Sequence, residues 1–361
     1  MHCPTLKKLP PPPLNKTGWP WTEESIPLPE VMSDGSRWPK LSVVVPTYNQ
    51  GSYIEQTIRS VLLQGYPNYE YIIIDDGSTD NTPQILKKYE TFITYSIRQD
   101  NRGAASALNR ALQIVTGDWI AWQDSDDYYP SNHFRIFAEN LKNLNNADIV
   151  YGAIECINEE NKFLRNYPVI NPFTIENLLP YPQIGHQSLF FKRKIFDESN
   201  FFNETFYHVM DLDFFLRLAL KGYRFCFLKG MLGYYRTHPA SMSSTQFWVQ
   251  EGSRIYTGLL SNPTISLSLR KKVIQSIRWS CLSCFGSFKL DLFRKVVRNT
   301  VIHIGIKETG LEILAKYLLS FLGENIIRQF KSIKTNYAYW VQMVTQYRMK
   351  LFGNYRKRND T

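Results

Sequence analysis

Residues 117–130 read GDWIAWQDSDDYYP, an apolar, aromatic run that ends in Asp124, Asp126 and Asp127 with no Lys or Arg beside them. In an extended chain, side chains two residues apart leave on one face, which puts Asp124 and Asp126 side by side. Two bare carboxylates that close repel, and one is driven towards protonation. A divalent cation removes the conflict, and oxygen ligands select a hard ion, Mg²⁺ or Mn²⁺. Mg²⁺ commonly takes only one or two carboxylates and completes its shell with water and substrate phosphates. The motif therefore predicts a metal–diphosphate site. The same residues also suit a polar turn capping a helix that starts at Pro130. Asp127, on the alternate face, then orients the loop or caps that helix.

Such a site needs elements that deliver it. KLSVVVPTYN (40–49) reads as a strand ended by Pro46, and Ile54, Ile58, Val61 and Leu62 follow at helical spacing. YEYIIIDDGS (69–78) is a continuous apolar run, as in a parallel strand buried on both faces. Thr82 and Pro83 suit the N-cap and first position of a second helix. FITYSI (92–97) reads as a strand, 104–115 as a helix and 118–123 as a fourth strand. This β-α-β-α-β-α-β alternation predicts an α/β fold, a mainly parallel, Rossmann-like sheet with helices on both faces. Ligands bind at the carboxyl ends of such strands. Those ends carry Thr47, Tyr48 and Asn49; Asp75 and Asp76; Asn101 and Arg102; and the three aspartates. Further on, 131–144 reads as helix, 148–168 as two strands around NEEN, 186–196 as a strand running into a helix, and 210–225 as an amphipathic helix then a strand.

The stretches SVVVPTYNQGSYIEQTIRSVLLQGYPNYEYIIIDDGSTDNT, NRGAASALNRAL and GDWIAWQDSDDYY closely resemble, in order and spacing, the family 2 glycosyltransferases of the GT-A fold. Motifs of that family cover residues 40–130, and weaker signatures extend to about 243. The resemblance implies inverting transfer of a sugar from a nucleotide-sugar donor (a UDP-, GDP- or dTDP-sugar) to a hydroxyl acceptor. By it, Pro46, Thr47, Tyr48 and Asn49 line the donor site, Asp76 binds base or ribose, and Asn101, Arg102 and Gly103 form the loop over the nucleotide. Asp124 lies near ribose and metal, and Asp126 on metal and diphosphate. HVMDLDFF matches the segment of the general base, with Asp211 at the base position, Asp213 two further on, and Met210 where many members carry Glu. An Asp at 211 also suits a helix N-cap. YYRTHPASMS resembles the family's R-x-H-P-x-S-x-S segment. His238 there completes the metal shell or touches the diphosphate, and Arg236 offsets diphosphate charge. HQS (186–188) matches a strand near the acceptor pocket, with His186 and Gln187 as acceptor or pyrophosphate contacts. Asp76 could instead cap the next helix, and Arg102 could be a solvated loop charge.

Charge divides the chain. Of the net +10, residues 286–361 supply +9, from 14 Lys and Arg against five Asp and Glu. The expected layout is a Pro/Trp-rich leader (1–39), a catalytic domain (40–245, with a nucleotide-sugar half 40–130 and an acceptor half 131–245) and a basic, mostly helical region (246–361). LEILAKYLLSFL and YAYWVQMVTQYRMKLF have broad apolar faces. They suit an anionic membrane surface, as a lipid-linked acceptor would require, or packing on the body or a second copy. No nucleic-acid-binding motif accompanies the charge. Neither a signal-peptide h-region nor a long apolar run is present, so a cytoplasmic protein, peripheral at the membrane, is expected. The five cysteines read as packed thiols, CLSC (281–284) included. QSIRW (275–279) matches an element of processive polysaccharide synthases, but no membrane span follows it, and it reads as coincidence. A nucleotidyltransferase would need a basic Gly-rich loop after the first strand, which PTYNQGSY lacks. A non-catalytic sugar-nucleotide binder would not need Asp126 and Asp211. A dinucleotide oxidoreductase is excluded because no G-x-G-x-x-G follows the first strand.

Overall fold

Apolar and β-branched residues fill Leu41–Thr47 and Tyr69–Asp75, and both form strands, β1 and β2, buried along their whole length. In this computed structural model, residues 3–322 are described apart from 145, 181–182, 242–247 and 288, together with 324 and 327. Helix α1 (Ile54–Leu62) joins β1 to β2, and α2 (Thr82–Lys88) leads to β3 (Tyr95–Arg98). Helix α3 (Ala104–Leu112) then returns the chain to β4 (Trp119–Trp122). β1 pairs in parallel with β2 on one side and β4 on the other, and β3 pairs in parallel with β2. The strand order thus reverses between β1 and β4, which opens a crevice at their carboxyl ends.

The second half completes one eight-stranded sheet. Helix α4 (His133–Glu139) precedes the hairpin of β5 (Ile149–Ile157) and β6 (Phe163–Asn166). β7 (Phe190–Lys192) runs antiparallel to both β4 and β5 and is followed by α5 (Lys194–Asp197). Helix α6 (Met210–Leu220) leads into β8 (Phe225–Arg236), parallel to β5. Aromatic stacks fasten the helices to this half, as where Phe137 lies 3.8 Å from Phe190.

Several local expectations are corrected. β1 continues one residue past Pro46. Thr82 is the first residue of α2 rather than its cap, and its hydroxyl accepts from the Gln50 amide (2.9 Å). β3 starts only at Tyr95 and is a largely exposed edge strand, because residues 90–92 close a 3₁₀ turn. No helix starts at Pro130. Asn132, at a left-handed φ of 64°, delays α4 to His133, and residues 141–144 form a separate 3₁₀ turn. HQS is a 3₁₀ turn before β7.

The chain divides into two compact units, Met1–Glu251 and Gly252–Thr361. Residues 3–39 belong to the first. Their backbone wraps Arg59 of α1, which is fully buried and donates to the carbonyls of Pro10, Pro20 and Trp21 (2.8–3.0 Å). Helix α7 (Trp248–Leu260) spans the boundary, and α8 (Leu267–Gly286), α9 (Leu290–Thr309, broken at Gly305) and α10 (Leu311–Leu319) build the second unit. CLSC lies within α8 as two buried free thiols, and so does QSIRW, whose Arg278 donates to the Glu308 carbonyl (2.7 Å). YAYWVQMVTQYRMKLF lies outside the described residues. Among the described residues, no helix is long and apolar enough to cross a membrane.

Candidate active site

The crevice is a cavity of about 530 Å³ at the carboxyl ends of β1 and β4. Its first wall is the end of β1, Pro46 to Asn49. Thr47 is buried, and its hydroxyl has no hydrogen-bond partner among the described residues, whereas the Tyr48 ring is exposed. Asn49 adopts a left-handed φ of 52° and accepts through Oδ1 from the Thr79 amide (2.7 Å), locking β1 to the loop after β2. Asp76 gathers the opposite loop. Its carboxylate accepts from Gln99 Nε2 (2.8 Å) and from the backbone amides of Arg102 (2.9 Å) and Gly103 (2.7 Å). Gly103 can comply because it sits at φ +91°, where a side chain would be strained. Asn101 and Gly103 line the cavity. The Arg102 side chain does not, and its guanidinium faces Glu204 at 3.9 Å in a separate surface hollow.

The acidic turn departs from the extended geometry that places Asp124 and Asp126 on one face. β4 ends at Trp122, the chain turns at Ser125–Asp126, and the two carboxylates diverge onto different imidazoles. Asp124 accepts from Trp122 Nε1 (2.9 Å) and meets His186 Nε2 at 2.6 Å. The His186 ring stacks on Trp122 at 4.4 Å. Burial opposes charge on His186, yet the Asp124 carboxylate beside it outweighs burial and lifts its pKa to about 9. Burial likewise works against ionised Asp124, but His186 holds that carboxyl below its usual range. Asp126 meets His238 Nε2 at 3.0 Å. His238 stands behind Asp126, outside the cavity lining, with Tyr53 against its ring at 4.8 Å.

Asp127 is buried and belongs to the site, not to a helix cap. It accepts from Gln187 Nε2 and from the Arg236 amide (2.6 Å). Burial, then the carboxylates of Asp126 and Asp124, push it well above the usual carboxylate range. Asp124, Asp127 and His186 offer ligand atoms that all lie within 4.8 Å of one another. Arg236, expected to offset diphosphate charge, is not among the cavity-lining residues. It is buried, with its guanidinium committed to the Asp126 carbonyl (2.7 Å), Asn161 Oδ1 (2.7 Å) and Gln56 Oε1 (2.9 Å). Its work is to brace the acidic turn, as does Thr57 of α1, which donates to the Asp127 carbonyl (2.6 Å).

Across the cavity, Asp211 in the first turn of α6 is half-buried and lines the wall with Met210 and His186. Burial raises its pKa, which His186 partly opposes. Asp213 is outside the lining and ion-paired to Arg217 Nε (2.8 Å). The N-cap of α6 is Val209, which has no cap to offer. Glu251 replaces it. Its carboxylate accepts from three successive amides, Tyr207 (3.0 Å), His208 (2.7 Å) and Val209 (3.2 Å). Sequence reasoning missed Glu251 and the ligand-like placement of Asp127. A Glu inside a helical run gives no signal of what it reaches, although the third Asp of DSDD was in view.

A sheet whose order reverses between β1 and β4, with a loop clasped by Asp76 and an acidic turn at the crevice between them, is the GT-A fold. The chain belongs to glycosyl transferase family 2, whose family model matches residues 42–205. It is 30% identical over 210 residues to the *Escherichia coli* protein named UDP-Glc:alpha-D-GlcNAc-diphosphoundecaprenol beta-1,3-glucosyltransferase WfgD, covering 57% of this chain and 81% of that protein. *S. aureus* TarS 1–349, solved in complex with UDP, superposes with a TM-score of 0.60 at 18% identity, over 78% of this chain and 89% of that one. Mannosyltransferase PcManGT from *Pyrobaculum calidifontis*, solved with GDP-Man and Mn²⁺, gives 0.51 at 17% identity, over 84% and 85%. The chain spans only 27–31% of the length of the first curated relatives it matches.

Proposed function

We propose that this chain is an inverting glycosyltransferase that moves a sugar from a nucleoside-diphosphate sugar to a hydroxyl acceptor. The carrying observation is that Asp211 and the Asp124/Asp126 pair, far apart in sequence, line one cavity at the switch point of a family 2 fold. The donor is a UDP- or GDP-sugar, by analogy with the nucleotides bound by TarS and PcManGT. Thr47, Tyr48, Asp76 and Asn101 hold its nucleoside. Asp211 accepts the acceptor's proton as the acceptor oxygen bonds to the anomeric carbon and the bond to the diphosphate breaks. His186 and Gln187 lie on the acceptor side of the same cavity. Residues 40–245 carry this chemistry.

The donor set fits a divalent cation, because clustered carboxylates with imidazoles at hand suit Mn²⁺ or Mg²⁺. Asp126 with His238 would hold it, with Asp124 as the further ligand that the resemblance implies, although its carboxylate is turned onto His186 in this structure. The reading is supported by the motif resemblance and by the 3.0 Å approach of His238 to a cavity-lining carboxylate. When bound, the cation supplies electrostatic stabilisation of the leaving diphosphate. A second reading places it on Asp124, Asp127 and His186, favoured by the closeness of their ligand atoms. Titration calorimetry with Mn²⁺ and UDP separates the two. His238→Ala should weaken Mn²⁺ binding by about tenfold or more while His186→Ala does not, and the reverse result moves the site.

The acceptor is lipid-linked, by analogy with the diphosphoundecaprenol in the name of WfgD. That calls for contact with an anionic membrane, and the basic C-terminal region is the part of the chain with charge for it. The function is tested by screening nucleotide sugars for Mn²⁺-dependent hydrolysis and binding. One donor should respond, and silence from every donor, with and without metal, defeats the reading.

A further inference from the structure

We propose that the exposed face formed by α9 and α10 docks on an anionic membrane. This deepens the reading of a lipid-linked acceptor, on which it rests for its purpose but not for its measurement. Along α10 and the turn after it, Leu311, Leu314, Leu318 and Phe321 recur at spacings of three, four and three, a single helical face. Leu311 is 84% exposed, Leu318 56% and Phe321 57%, whereas Ile313 and Leu319 on the opposite face are buried. The inner face thus does the packing, and among the described residues the stripe faces water at Leu311, Leu318 and Phe321, with Leu314 half-buried between them. Scattered exposed leucines are ordinary, but a continuous stripe of large apolar side chains marks an interaction surface.

Its flank is net cationic: Asp291 pairs with Arg294 and Glu312 with Lys316, and two further cations stand beside them. Lys295 and Arg298 of α9 are exposed on one face with Ile302, which is 75% exposed. Arg298 Nε donates to Tyr317 Oη (2.9 Å), which sets that face beside α10. The Arg294 guanidinium lies over the Phe321 ring at 5.1 Å. Residues 252–361 hold 19 Lys and Arg against five Asp and Glu, a net of +14, while residues 1–251 hold 23 against 27, a net of −4. A second copy of so cationic a unit would be repelled from the stripe. An anionic lipid surface meets both features, since it attracts the cations and takes the apolar side chains into its interface.

The test is cosedimentation of the full chain with vesicles, without donor. One set holds equal parts phosphatidylglycerol and phosphatidylcholine, the other phosphatidylcholine alone. The protein should bind the anionic vesicles and not the neutral ones, and binding should weaken as salt is added. Leu311→Glu with Leu318→Glu should lower the vesicle-bound fraction about tenfold or more at an unchanged melting temperature. Lys295→Glu with Arg298→Glu, which spares the stripe, should do likewise through charge alone. The proposal is overturned if the wild type ignores anionic vesicles, if both double variants bind as it does, or if the wild type is a dimer that the leucine variant splits. Hydrolysis of soluble nucleotide sugar, scored without vesicles, reports on the catalytic reading separately.

Discussion

Asp211 is where the chemistry is most exposed to test. It lines the cavity, while its neighbour Asp213 is spent on Arg217. Asp211→Asn should bind donor normally and lose transfer by roughly 10²–10⁴-fold, the usual contribution of a positioned base. Transfer assays beside UDP calorimetry measure the two separately, and unchanged turnover would send the role elsewhere. Burial also raises the Asp211 pKa. A base works deprotonated, so kcat/KM should fall as pH drops through that raised value. The acid limb should therefore lie above that of an ordinary aspartate, and a limb at or below it in the pH–rate profile would contradict the assignment. The acids themselves stood out as a carboxylate pair at a strand end, a pattern that also fits a polar turn, and the family resemblance chose between the two. What neutralises them did not stand out. The partners of Asp124 and Asp126 are imidazoles 62 and 112 residues away. Only the fold brings them together: the resemblance named His238 for the shell around Asp126, but nothing local pairs His186 with Asp124.

Elements were readable wherever hydrophobic periodicity was strong and uninterrupted. The runs at 43–45, 71–74 and 119–122 each became a buried parallel strand, and their order was enough to place the site. Readings slipped where local turn chemistry competes with the pattern. β3 lost its first residues to a 3₁₀ turn, and Asn132 postponed α4. The anchor of the segment leading into α6 was unreadable for another reason, since its carboxylate comes from a different helix. Glu251 gathers three amides at the head of the helix that carries Asp211, so the wall of the cavity depends on it. Glu251→Ala leaves these donors without their acceptor and removes an anion from the positive end of α6. A cost of about 1–3 kcal/mol in stability is expected. Turnover should fall while UDP affinity holds, because Asp76 and the end of β1 are untouched. Glu251→Gln, which keeps one acceptor oxygen, should recover part of the turnover. If donor affinity and turnover fell together, Glu251 would be a general stabiliser and not a support for Asp211.

At the scale of the whole molecule, the Pro- and Trp-rich start of the chain is the part whose composition said least. It reads as a leader or a surface wrap, and residues 3–39 pack within the first unit. The reason lies in Arg59. Its guanidinium is fully buried in α1, with Tyr89 as its one side-chain acceptor (3.1 Å) among the described residues. The other three acceptors are the backbone carbonyls of Pro10, Pro20 and Trp21. The Trp21 ring adds a cation–π contact at 5.7 Å. Carbonyls carry no residue-type signal, so nothing in LPPPPL announces that it closes around a charge. A buried cation without partners costs several kcal/mol, so leader and body must hold together or Arg59 must reach water. Arg59→Ala removes the charge but strands three buried carbonyls and leaves a cavity. The expected loss is on the order of 3–5 kcal/mol. At about 2–4 °C per kcal/mol for a unit of this size, the melting temperature should fall by roughly 10 °C. Arg59→Lys should recover little, since one ammonium on a flexible stem cannot reproduce the planar fork that reaches all three carbonyls. Limited proteolysis should cut residues 3–39 much faster in either variant. If both variants melted with the wild type and kept the leader protected, the wrap would be held by its tryptophans alone, with Arg59 a passenger.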